Sequence, residues 1–140
     1  MARGYPDFEG DKSGLYLKPE WAAKEGKDKD FLTQGLNKAF GESKDISYAV
    51  PALKILLVTQ LFASNMAVVA ADADNNQFCI VEISVGDMPK YEVGMNGGGL
   101  VVLAKPYVID SEETVAVNVT NRANHNTNIN VGFSGYEVDA

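Results

Sequence analysis

A chain of 140 residues with 46% apolar side chains has the material for one buried core and is not disordered throughout. Its 19 acidic residues outweigh 12 basic ones, and Arg3 and Arg122 are its only arginines, so phosphate backbones and anionic membranes are poor partners. Cys79 is the single cysteine, which excludes an intrachain disulfide and disfavours a disulfide-dependent secreted module.

The opening Met1-Ala2-Arg3-Gly4-Tyr5-Pro6-Asp7 lacks the apolar stretch of a signal peptide. The expectation is synthesis in the cytoplasm without export. Residues 1–45 hold eight of the twelve basic residues and nine acids. Apolar residues come singly or in small groups there: Tyr5, Phe8, Leu15-Tyr16-Leu17, Trp21, Phe31-Leu32, Leu36 and Phe40. Such a stretch cannot build a core alone, but its isolated anchors can dock in grooves. It is expected to be a partly extended arm, with a short helix or turn over residues 29–40. Ordering against a partner or the domain surface, and packing on its own domain as an edge strand and loops, both stay open. Tyr5, Phe8, Trp21, Phe31 and Phe40 are the candidate interface residues of this arm, joined by Tyr136 near the other end.

From Ile46 the composition turns to that of β structure. Residues 55–62 form a strand-like apolar run, too short to cross a bilayer, and 66–71 a second one after Ser64-Asn65. Asp72-Ala73-Asp74-Asn75-Asn76 reads as a turn. Phe78 and Ile80, then Ile83 and Val85, are expected to face inward, with an irregularity near Glu82. Tyr91, Val93 and Met95 alternate, Asn96-Gly97-Gly98-Gly99 breaks the chain, and Leu100-Val101-Val102-Leu103 is expected to lie deep. Val115, Val117 and Val119 alternate cleanly, as do Ile129, Val131 and Phe133. Seven to nine short strands without room for crossover helices predict an all-β antiparallel β-sandwich, or jelly roll, over residues 46–140. Ile80, Val102, Val117, Val131 and Phe133 are its expected core.

Little catalytic chemistry is legible. His125 is the only histidine and lies in a polar, asparagine-rich loop, while Cys79 sits in an apolar strand as a small hydrophobe. Asp72, Asp74 and Asn76 match the first ligands of an EF-hand. Gln77 stands where that loop requires Gly, and Ile83 where it requires a bidentate Glu. No metal, cofactor or enzymatic activity is expected. The asparagines at 118, 121, 124, 126, 128 and 130 read as turn formers, or as amides suited to sugar hydroxyls.

The stretch from Gly97-Gly98-Gly99-Leu100 through Lys105-Pro106-Tyr107-Val108-Ile109, the acidic turn and Thr114-Val115-Ala116-Val117-Asn118-Val119-Thr120-Asn121 resembles accessory capsid proteins of tailed bacterial viruses. So do the ending Asn130-Val131-Gly132-Phe133-Ser134-Gly135-Tyr136-Glu137-Val138 and the opening Met1–Phe8. These are the small jelly-roll cement, decoration or head-fibre proteins. The resemblance implies attachment to major capsid protein subunits on the virion surface, self-association as a dimer or trimer, and no catalysis. The long charged segment 11–45 departs from it. The alternative is a carbohydrate- or host-surface-binding β-sandwich.

Overall fold

The computed structural model describes residues 27–140. Among these, eight strands follow in order: β1 Lys27–Lys38, β2 Ser43–Ala49, β3 Lys54–Ala67, β4 Phe78–Val85, β5 Met88–Asn96, β6 Gly98–Ile109, β7 Thr114–Asn121 and β8 Thr127–Asp139. A single 3-10 turn, Ala70–Asp72, stands between β3 and β4. Sheet A has the order β1-β8-β3-β6 and sheet B the order β2-β7-β4-β5. All pairings are antiparallel. Because the chain crosses repeatedly from one sheet to the other, each sheet presents one face to its counterpart. The result is a jelly-roll-like sandwich.

Alternation explains why the layers meet as they do. Val115, Val117 and Val119 of β7 are fully buried, while Ala116, Asn118 and Thr120 between them are half-buried on the other side. Ile129, Val131 and Phe133 do the same from β8. Leu56, Val58, Leu61 and Ala63 of β3 complete sheet A's contribution. Their spacing jumps by three between Val58 and Leu61 because of a bulge: Val58 pairs with Gly135, but Gln60 pairs with Ser134. Burying each such aliphatic side chain stabilises the fold by about 1.5–3 kcal/mol, so this shared core dominates its stability. Gly135 is required where β8 presses on β3. A methyl group there would sit 1.9 Å from the Leu57 carbonyl oxygen.

Several expectations are corrected. The boundary at Ile46 does not hold, because residues 27–45 are built into both sheets. β1 pairs along β8 from Lys27 opposite Glu137 to Lys38 opposite Thr127, and β2 pairs along β7 from Ser43 opposite Thr120. Charges hid these edge strands, since only one face of each needs apolar residues. No helix or turn forms over residues 29–38.

The phase of the first half of β4 is also inverted, while Ile83 is buried as expected. Cys79, Val81 and Ile83 face the core, and Ile80 is half-buried on the outer side. In a run as apolar as Phe78-Cys79-Ile80-Val81, composition cannot set the phase; the pairing of Cys79 with Asn121 and of Val81 with Val119 does. Finally, Leu100–Leu103 is not deep. It belongs to β6, at the edge of sheet A, where Leu100 and Val102 are 59% and 65% exposed. β3, in turn, runs without a break through Ser64-Asn65 to Ala67. Val117, Val131 and Phe133 are buried as expected.

Candidate binding site

The outward face of sheet A is organised in rows that cross all four strands. One row runs Asp30, Ser134, Gln60, Val102, and the next Leu32, Gly132, Phe62, Leu100. Gly132 is needed because a methyl group there would meet the backbone carbonyl oxygen of Phe31 as well as the Phe62 ring. Beside this apolar row opens a hollow of about 220 Å³, lined by Asp30, Thr59, Gln60, Ser134, Gly135 and Tyr136. It lies below the ~300–1,000 Å³ of sites that enclose drug-sized ligands, so it suits a ring-sized group resting partly open.

The β3 bulge makes the hollow. It places Thr59 and Gln60, two consecutive residues, outside the core and at its rim. The Thr59 hydroxyl donates to the Ser134 carbonyl at 3.3 Å, and the Ser134 hydroxyl donates to Gln60 Oε1 at 3.2 Å. These bonds fix the Gln60 side chain while leaving its amide N–H groups directed at no partner among the described residues. Behind the hollow, the Tyr48 hydroxyl donates to Glu137 Oε1 at 2.6 Å, and Lys29 Nζ lies 3.6 Å from Glu137 Oε2. Burial, reinforced by the Glu137 carboxylate, pushes the Tyr48 hydroxyl up to about 12. This cluster ties β1, β2 and β8 together next to Ser134–Tyr136, so the hollow stands on a rigid support.

The candidate residues divide. Tyr136 lines the hollow, half-buried. Phe31 is corrected from an interface residue to a core one: its ring stacks on Phe133 and meets Tyr48, both at a centroid distance of 4.7 Å. Phe40 is 60% exposed and lies under the Arg122 guanidinium at 5.8 Å, in the β1–β2 turn away from the hollow. Tyr5, Phe8 and Trp21 lie outside the described residues. Asp30, Thr59, Gln60 and Ser134 were not singled out from the sequence. The polar pair Thr59-Gln60 interrupting an apolar run was the one signal of a bulge, and of the hollow with it.

The loop end of the sandwich is committed to holding itself together. Asn121, fully buried, donates to the carbonyls of Lys38 at 2.8 Å and His125 at 3.0 Å, and its Oδ1 accepts from Ala123 N at 2.8 Å. Asn65 donates to the Gln77 and Phe78 carbonyls. His125 places Nε2 at 3.0 Å from the Asn76 carbonyl and Nδ1 at 3.2 Å from that of Asn126. Its ring therefore staples two loops and makes no hydrogen bond to Cys79. Burial pushes the Cys79 thiol up to about 11, which disfavours the nucleophilic thiolate. The Gln77 amide closes the Asp72–Asn76 turn by donating to the carbonyls of Asp72, Ala73 and Asn75. Among the described residues, no three of His, Cys, Asp and Glu gather closely enough to hold a metal ion.

No protein-family model matches the chain, and no curated protein is similar to it. Among solved structures it is similar to the CBM36-1 domain of a multidomain xylanase from the hindgut metagenome of Trinervitermes trinervoides. The identity is 12% and the TM-score 0.49, over 79% of this chain and 96% of that one.

Proposed function

We propose that the chain is a non-catalytic β-sandwich binding module that takes a carbohydrate in the hollow of sheet A. The observation that carries this reading is a ring-sized depression lined by a carboxylate, an amide, two hydroxyl side chains and a tyrosine, set on a rigid sheet. Sugar hydroxyls both donate and accept, and Asp30 with Gln60 offers the complementary groups. Tyr136 adds an aromatic body against which the C–H face of a sugar ring can lie. The sheet is preorganised, so little ordering entropy opposes binding. A glycan array followed by calorimetry of the hits tests the reading. Gln60→Ala is expected to weaken binding by about 1–3 kcal/mol without altering the fold, because the sugar hydroxyl it served is left unpaired. Silence across the array, or hits indifferent to Gln60→Ala, overturns it.

A second reading follows from the apolar row beside the hollow. Leu32, Leu100 and Val102 are 63%, 59% and 65% exposed. A contiguous apolar stripe of this kind also suits a protein surface. Attachment to major capsid protein on the outside of a virus shell, as a dimer or trimer, would use this stripe. A stable contact needs roughly 800 Å² from each partner, more than the four-residue row offers alone. Co-sedimentation with assembled shells, with light scattering of the free protein, tests it: a monomer that leaves shells uncoated removes this reading.

A further inference from the structure

The outermost strand of a sheet has backbone N–H and C=O groups on one side without a strand neighbour, and folded chains guard such edges with charges, prolines or bulges. Among the described residues the edges are β1 and β6 in sheet A, and β2 and β5 in sheet B. β1 opens on Lys27-Asp28-Lys29-Asp30 and loses register between Gly35 and Lys38. β2 carries Lys44 and Asp45, and β5 carries Pro89, Lys90 and Glu92. β6 is guarded over its second half, by Lys105-Pro106 and by a bulge: Val102 pairs with Gln60, but Tyr107 pairs with Val58. Its first half is bare. Gly98-Gly99-Leu100-Val101-Val102-Leu103-Ala104 holds no charge and no proline, and residues 98–102 run in regular register along β3. Leu100 and Val102 are more than half exposed there, so the chain leaves this edge open.

We propose that this edge pairs with β6 of a second copy, antiparallel and about a twofold axis, joining the two A sheets into one. The occupant follows from self-complementarity, since a twofold contact sets one patch against itself. With Val101 opposite Val101, the uncharged residues 98–104 fall wholly on one another: Gly98 faces Ala104, Gly99 faces Leu103, and Leu100 faces Val102. Lys105 then lies beyond the paired stretch at both ends, so no like charges meet. Leu100 and Val102 share the outward face. The row Leu32, Gly132, Phe62, Leu100 therefore runs on into the second copy's row of Val102, Gln60, Ser134 and Asp30. Contact of β6 with β1 instead would set charges on the apolar stretch and would not close. A net charge of −7 opposes association of two copies, and it does so least through a ribbon without charged side chains. Seven paired residues span about 24 Å, a contact smaller than standard, so the pair is expected to be reversible at micromolar concentrations. The two hollows then open on one face about 20 Å apart, four strand spacings. That consequence alone rests on the carbohydrate reading: a repeating glycan could engage both hollows and gain by multivalency.

Sedimentation equilibrium of the full chain from about 1 to about 500 μM is expected to carry the mass from one copy to two and no further. The double variant Leu100→Lys/Val102→Lys sets like charges opposite each other across the axis. It is expected to stay monomeric, with the β-sheet circular dichroism retained, and Leu100→Glu/Val102→Glu is expected to do the same. An equimolar mixture of the two variants is expected to regain the dimer, because each lysine then faces a glutamate. Amide exchange at residues 99–103 of the unmodified protein is expected to slow several-fold as concentration rises, which decides the matter even where a variant does not fold. A single-copy mass throughout, or exchange indifferent to concentration, overturns the proposal. So does a dimer that persists in either variant, a mixture that stays monomeric, or a mass that climbs past two copies. No arm of this experiment contains a glycan, so its failure leaves the carbohydrate reading to its own test.

Discussion

The outward faces of the two sheets differ although their inward faces are alike. Sheet B meets water with the row Asp45, Asn118, Glu82, Glu92 across β2, β7, β4 and β5. The equivalent surface of sheet A carries Leu32, Phe62, Leu100 and Val102, a polar hollow, and a buried apolar cluster. One dry face per sheet is enough to fold a sandwich, and on sheet B the outward apolar residues Phe78 and Ile80 are half-buried rather than laid open. A sheet that is apolar on both sides exposes surface that water disfavours, and such surface persists where something covers it. On the proposed reading, sheet B is the structural half and sheet A the half that binds.

The sharpest way to break this contrast is to truncate side chains on opposite sides of sheet A. Phe133→Ala, on the inward side, is expected to lower the unfolding free energy in urea by about 3–5 kcal/mol. Leu32→Ala, on the outward side, is expected to stay within about 0.5 kcal/mol of the unmodified protein. Equal losses would mean that the outward face is as much core as the inward one.

A smaller effect separates groups by pH. Burial raises the Cys79 thiol from its ordinary 9.0 to about 11, so the unfolded chain loses this proton before the folded one does. The stability linked to it is complete below pH 9 and lost as pH climbs toward 11. Tyr48 follows the same sign one step later, from 10.0 to about 12, through burial and its bond to Glu137. Urea midpoints taken at stepped pH should fall between pH 9 and 11 for the unmodified protein and fall less steeply for Cys79→Ala. Parallel curves would show that the thiol is not shielded.

The smallest effect concerns the polar face of sheet B, where Glu82 and Glu92 stand directly opposite each other. Glu92→Lys replaces repulsion by attraction and is expected to gain about 0.2–1 kcal/mol in the same assay, less at high salt.

Much of the sandwich was legible, and the misses share a cause. Val115, Val117 and Val119 announced β7 because a strand with one dry face must alternate. β1 and β2 were hidden because edge strands need few apolar residues, and Lys29, Asp30, Lys44 and Asp45 made them look like a solvated arm. Phe78–Val81 and Leu100–Leu103 are apolar at every position, so neither phase nor depth could come from composition. Pairing partners distant in sequence decide both. The hollow was illegible for a related reason: Asp30, Gln60 and Ser134 meet only through the register of β1, β8 and β3. Tyr136 alone was chosen in advance, as an aromatic near a terminus.

The central claim is that recognition happens on the outward face of sheet A. Amide chemical-shift mapping of the full chain, titrated with a glycan identified on the array, tests it most directly. Perturbations are expected to gather at Asp30, Thr59, Gln60 and Ser134–Tyr136, with the amides of Asp45, Glu82, Glu92 and Asn118 unmoved. Shifts concentrated on sheet B or on the asparagine-rich loop at 121–128 would contradict it.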